Sequence, residues 1–183
     1  MTHSIFKSIK LINPATNFNQ KVNVVIQNET IISISKDLNL EKFNKDNQTI
    51  IYDCEGLTMS PGIFDMRVNI GKTENLKFTQ ITALESGITS MAILPNQTPK
   101  LNNPSIIDHI KRQSEDINLP KVMVYGAATK DLNGLEMSEI GLMSEMGAIG
   151  FTNGNKSIKN SLVMRRLMSY ATMINRPIIQ HAE

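Results

Sequence analysis

Metal-assisted, acid–base or nucleophilic chemistry in this chain of 183 residues has few side chains to draw on: three histidines (His3, His109 and His181), one cysteine (Cys54) and scattered carboxylates. A neutral imidazole is the commonest protein ligand for a metal. Metal-assisted hydrolysis needs several ligands around the ion, usually three plus a water. His181 stands in Gln180-His181-Ala182-Glu183, directly after a short apolar run, so it is either a metal ligand or a structural histidine at a strand end. His109 falls on the polar face of a helical stretch and reads as solvent-exposed; His3, among the leading residues, reads as inert. Cys54 borders a short β run with no histidine near it in sequence, so it reads as a small hydrophobe rather than a nucleophile. Asp65, Asp131 and Glu183 could supply oxygen ligands, but the chain has no His-x-His or His-x-x-Glu-His spacing. It also lacks a P-loop, a Gly-x-Gly-x-x-Gly turn and a Gly-x-Ser-x-Gly elbow. Lys130 and Lys156 could draw an anion, although solvated loop lysines are the default. Asn96, between Pro95 and Pro99, either shapes its loop or offers an amide to a substrate.

These residues need a frame, and the sequence has two rhythms. Residues 1–60 are strand-like. Apolar-alternating runs at 4–12, 22–26, 30–34 and 49–53 are separated by turn clusters at 13–17 and 27–29, and the polar stretch 36–48 reads as a loop. From residue 61 the pattern changes. Short apolar runs begin near Gly62, Ile88, Lys121, Ala148 and Pro177, so strand starts recur every 26 to 33 residues. Helical patterns fill the gaps at 73–86, 103–117, 138–146 and 161–175; the first and third end at Gly87 and Gly147, and the second can begin with Pro104. Strands alternating with helices predict βα units, right-handed crossovers and a parallel sheet. The predicted fold class is α/β: a partial (β/α)8 barrel of about five strands (residues 61–183, truncated after the fifth) preceded by a small β-sandwich portion (residues 1–60). A complete barrel usually needs ~250 residues. Five parallel strands leave open edges, one carrying Ile178 and Ile179, so either the chain is a fragment of a full barrel or another chain supplies the rest, and an oligomer or a complex is expected. In such a barrel the chemistry sits at the C-terminal strand ends, here Asp65–Asn69, 94–99, 126–130, 150–154 and 180–183.

Composition narrows the function classes. The chain is 40% hydrophobic and 20% charged with a net charge of +2, which predicts a globular protein with no strong electrostatic field. No Lys/Arg run marks a nucleic-acid or membrane surface. No apolar run approaches the ~20 residues of a membrane span, and the first ten residues lack a secretory h-region; the expected location is cytoplasmic.

Several stretches resemble one family. Residues 51–65 resemble the segment leading into the barrel of the amidohydrolase superfamily. Leu94-Pro95-Asn96-Gln97-Thr98-Pro99 resembles the Met-Pro-Asn-Thr-x-Pro signature of dihydroorotases. Phe151-Thr152-Asn153-Gly154, Met164-Arg165-Arg166 and Gln180-His181-Ala182-Glu183 fall, in order, where that family has matching motifs. The chain thus resembles the N-terminal half of a class I dihydroorotase. The resemblance implies a (β/α)8 barrel with a small β-sandwich and zinc-dependent interconversion of dihydroorotate and N-carbamoyl-L-aspartate in pyrimidine synthesis.

The departures are as informative as the matches. Where the family has His-x-His on strand one and then an Arg for the substrate carboxylate, this chain has Arg67, Asn69 and Gly71; the metal-bridging Asp of strand four is Asn153. His181 keeps a metal-ligand position and Asn96 the substrate-amide position. A fixed cation at the site of Arg67 would oppose a dication by about 4 kcal/mol per unit charge at ~4 Å and an effective dielectric constant of ~20. The resemblance therefore implies a degenerate homologue with no catalytic residues, no cofactor (zinc in the resembling family) and, as for inactive members of the family, aspartate carbamoyltransferase as structural partner. The alternatives are an active amidohydrolase with an altered metal site around His181, and a non-catalytic module that binds a pyrimidine precursor through Arg67 and Asn96.

Overall fold

The computed structural model describes residues 3–39, 43, 49–70, 75–115 and 119–182. The chain divides into two compact units, Met1–Pro61 and Gly62–Glu183.

The first unit is a five-stranded sheet. Strands β1 (His3–Asn13), β2 (Phe18–Gln27), β3 (Thr30–Ser35), β4 (Thr49–Asp53) and β5 (Thr58–Met59) are arranged in the order β3-β2-β1-β4, with β5 also on β1. Pairing is antiparallel from β1 to β2 and from β2 to β3, and parallel from β1 to β4 and β5. The Asn-rich turns do the work expected of them. The Asn13 side chain accepts the Ala15 N–H, and Asn17 and Asn28 take the left-handed conformation (φ 52° and 53°) that reverses the chain. Ile9, Val22, Val24 and Cys54 form the buried centre, so the thiol behaves as a small hydrophobe. β2 begins four residues earlier than its apolar run, because Asn19, Gln20 and Lys21 pair with Ile12, Leu11 and Lys10 of β1. The expected loop at 36–48 lies largely outside the described residues.

The second unit is a curled parallel half-barrel. Its strands β6 (Ile63–Val68), β7 (Ile88–Ile93), β8 (Lys121–Ala127), β9 (Ala148–Thr152) and β10 (Ile178–Ile179) lie in the order β10-β9-β8-β7-β6. The connections carry α1 (Leu76–Glu85), α2 (Pro104–Glu115), α3 (Ile140–Glu145) and α4 (Ser161–Met173). Both faces of the sheet are apolar, as parallel sheets require. On the helix side Met91, Ile93, Val124, Ala148 and Phe151 pack against Ile107, Ile140, Met143 and Leu167. The other face is lined by Ala92, Leu94 and Tyr125 with Met123, Ile149 and Ile179. Burial there pushes the Tyr125 phenol above its ordinary pKa. Among the described residues no helix is long and apolar enough to cross a membrane.

Asparagine starts three of the four helices, α1, α2 and α4. Asn75 accepts the Phe78 N–H, Asn103 the Ile106 N–H, and Asn160 those of Leu162 and Val163, satisfying donors that a helix N-terminus leaves unpaired. Gly87 (φ 80°) and Gly147 (φ 106°) follow the ends of α1 and α3 in conformations that suit glycine. Asn160→Ala is expected to cost about 1 kcal/mol in urea unfolding, with the parallel sheet unchanged by circular dichroism. A loss below a few tenths of that size would mean that water caps α4 equally well.

Candidate functional site

The C-terminal ends of the parallel strands converge on one short segment, Asn153-Gly154-Asn155, that follows β9. From β6, the exposed guanidinium of Arg67 donates through Nη2 to Asn155 Oδ1 at 2.8 Å, joining residues 88 positions apart. Asp65 Oδ1 accepts the Arg67 backbone N–H at 2.9 Å, which fixes the strand end from which that side chain leaves. From β7, Asn96 packs its amide against Gly154. A Cβ at Gly154 would lie 2.9 Å from Asn96 Oδ1, and φ there is +65°, so space and backbone both call for glycine. Asn96 Oδ1 is sealed from solvent without a hydrogen-bond partner among the described residues.

From the end of β8 comes Thr129, fully buried. Asn153 Oδ1 accepts the Thr129 N–H at 3.1 Å and its hydroxyl at 3.0 Å, while Asn153 Nδ2 donates back to that hydroxyl at 2.8 Å. The hydroxyl also accepts the Gly134 N–H at 2.9 Å. Asn153 is 2% exposed, so this amide is spent on joining two strand ends rather than presented to a ligand.

The remaining sequence candidates take separate places. His181 is half-buried just past β10, and Asn69 is exposed. Gly71 and Glu183 lie outside the described residues. His109 is exposed, as expected of a polar helix face, and stands with Asn96, Gln97, Leu101 and Ile106 around a cavity of about 300 Å³. Lys130 donates to Glu136 at 2.6 Å; that hydrogen bond, with the carboxylate charge, holds its ammonium above the ordinary pKa. Asp131 faces Lys100 at 3.7 Å on the surface. Sequence reasoning missed Asn155 altogether. Its only signal was an asparagine two positions beyond Asn153, with nothing in the sequence to couple it to Arg67.

The exposed guanidinium of Arg67 is the group in this set that can recognise a carboxylate. Neither Arg67 nor Asn153 presents a free ligand atom for a metal ion. Guanidinium is a permanent cation without an acceptor, the Asn153 oxygen is already occupied, and among the described residues no three His, Cys, Asp or Glu side chains come together in a way that could hold a metal.

No protein-family model matches the chain. Curated relatives do. Over 184 residues the chain is 27% identical to the dihydroorotase of Syntrophus aciditrophicus (strain SB), covering 98% of this chain and 42% of that protein. Against the dihydroorotase of Aquifex aeolicus (strain VF5) it is 27% identical over 188 residues, 100% of this chain and 43% of the relative. Against that of Endomicrobium trichonymphae it is 30% identical over 182 residues, 97% and 41%. The chain thus spans about two fifths of the length of the curated relatives it matches. Among solved structures, the L-hydantoinase (dihydropyrimidinase) from Arthrobacter aurescens superposes with a TM-score of 0.77 at 19% identity, over 100% of this chain and 41% of that one. A D-hydantoinase gives 0.70 at 13%, over 100% and 40%. These likenesses establish the fold, a partial parallel α/β barrel with a separate sheet.

Proposed function

We propose that this dihydroorotase-like chain belongs to pyrimidine biosynthesis as a non-catalytic homologue and serves as a structural partner of aspartate carbamoyltransferase. The observation that carries this reading is the Arg67–Asn155 hydrogen bond. At the strand-one position where the resemblance places a zinc-binding histidine stands a permanent cation, already engaged in tying β6 to the segment after β9. Asn153, at the position of a metal-bridging carboxylate, is likewise committed to Thr129.

The reading predicts two results for the purified chain. Interconversion of dihydroorotate and N-carbamoyl-L-aspartate stays at the uncatalysed rate with or without added zinc. Mixed with the aspartate carbamoyltransferase of its own source, the chain co-elutes with it in size-exclusion chromatography. Zinc-dependent turnover would overturn the non-catalytic part. Separate elution at concentrations well above micromolar would overturn the partner part.

A second reading is favoured by the exposed Arg67 guanidinium, which can donate to a carboxylate: a site that holds an anionic pyrimidine precursor without turning it over. It predicts saturable heat on titration with dihydroorotate or N-carbamoyl-L-aspartate, weakened about tenfold or more in Arg67→Ala, as loss of a hydrogen bond to a charged group implies. A flat titration of the unmodified chain would end it.

A further inference from the structure

The surface of α4 carries a second feature, unconnected with the strand-end cluster. Within Ser161–Met173 the charged residues are Arg165 and Arg166, and there is no carboxylate. Val163, Leu167 and Ala171 face the core. On the flank beside them, Leu162, Arg166, Tyr170 and Met173 recur at helical spacing and form a stripe. That stripe is exposed: Leu162 by 52% and Met173 by 79%. With Met137 and Arg165 it lines a groove of about 480 Å³.

The groove lies on the α3 side of α4. The Tyr170 ring packs over Gly141 of α3, where a Cβ would come within 2.5 Å of its hydroxyl. α3 has six residues against thirteen in α4, so it does not cover the length of the stripe. Met168, also exposed, is on the opposite flank and takes no part. Neither arginine forms an ion pair with a carboxylate among the described residues, where the cations in ion pairs are Lys21, Lys100, Arg112 and Lys130.

We infer that this groove docks an acidic, amphipathic helical segment of a partner protein. Leu, Met and Tyr side chains form a deformable apolar trough of the kind that accepts the apolar face of a helix. Two guanidiniums at its rim call for carboxylates, which they can bind in a planar fork. A lipid surface fits less well. Stable attraction to anionic headgroups takes a larger basic cluster than two arginines. The inference does not depend on the proposed function; the test uses neither the transferase nor a pyrimidine.

The test is fluorescence anisotropy with the 183-residue chain and a labelled helical peptide that alternates Leu and Glu at i, i+3 and i+4 spacing. A matched peptide with Lys for Glu, and vesicles of phosphatidylcholine and phosphatidylglycerol, are run in parallel. Saturable binding of the Glu peptide that weakens with added salt is expected, and the Lys peptide stays free. The R165E/R166E variant is expected to lose about tenfold or more in affinity, and Leu162→Asp to weaken binding separately. If the charge-reversed variant misfolds by circular dichroism, methyl-labelled methionine spectra of the unmodified chain serve instead. Met137 and Met173 should shift with the Glu peptide and the buried Met91 should not. Equal binding of both peptides, unchanged affinity in the folded variants, shifts that bypass Met137 and Met173, or vesicle binding without peptide binding would each overturn the inference.

Discussion

Replacing Phe151 with alanine is expected to remove about 3–5 kcal/mol of stability, a large part of the ~5–15 kcal/mol that holds an ordinary domain together. Phe151 is fully buried on β9 and is among the largest fully buried side chains. Its ring occupies the space that a side chain on β8 would otherwise take: a Cβ at Gly126 would lie 2.8 Å from the ring. The sheet and the helices that cover it are thus fitted around one aromatic plug, and the neighbouring strand gives up its side chain to admit it. Urea unfolding checks the value. Met66→Ala on β6, where the side chain is 65% exposed, is the control and should stay within about 0.5 kcal/mol of the parent. Similar midpoints for the two variants would show that the core around Phe151 collapses to fill the gap.

The second large effect is expected from Asn153→Asp, the change that restores a carboxylate at the position where the resemblance has a metal bridge. The substitution is isosteric but electrically costly. The amide now gives one hydrogen bond to Thr129 Oγ1 and takes two from Thr129. A carboxylate loses the donated bond and sets two oxygens against a hydroxyl with one proton. Buried at a site that is 2% exposed, with no cationic side chain bonded to it among the described residues, it should cost about 3 kcal/mol when ionised. Burial raises its folded-state pKa above the unfolded value of about 3.9. The folded state then holds its proton longer than the unfolded state. Stability relative to the parent therefore falls as pH rises from about 4 and levels off once the folded carboxyl has ionised. Melting temperatures of both proteins across this range test it. A difference that stays constant or shrinks with rising pH would mean that the Thr129 donors stabilise the carboxylate more than burial penalises it.

Much of the barrel half was legible because a parallel strand buried on both faces writes itself as an unbroken apolar run, and a crossover sets a regular interval between runs. Ile88, Lys121 and Ala148 do begin strands, and Pro177 stands one residue before β10. The edges of elements were less legible. The polar start of β2 is held by pairing with β1, and the two residues of β5 are too few to make a pattern. At the strand ends, single positions could be flagged because a strand end is where side chains meet. What no local signal could give is the pairing: that Arg67 reaches Asn155, or that the Asn153 amide is turned towards Thr129. Those contacts depend on how strands far apart in sequence are staggered. The apolar groove on α4 was hidden for a different reason. Its residues look like an ordinary amphipathic helix until the short length of α3 beside it is known.

The hydrogen bonds at Asn153-Gly154 and Asn133-Gly134 also bear on how the protein ages. Asparagine followed by glycine deamidates readily when the glycine nitrogen can swing onto the side-chain carbonyl carbon, expelling ammonia and closing a succinimide that water opens to aspartate or isoaspartate. In the folded chain the Gly154 N–H is held by Thr152 Oγ1 and the Gly134 N–H by Thr129 Oγ1. Both asparagine side chains are tethered as well, Asn153 to Thr129 and Asn133 to the Leu135 N–H. Closure of either ring must break these bonds first. Chemical ageing at both sites is thereby coupled to local opening, and Thr129 guards the two at once. At Asn153 the aspartate product is the buried carboxylate that weakens the fold, so each opening that ends in deamidation makes the next opening easier.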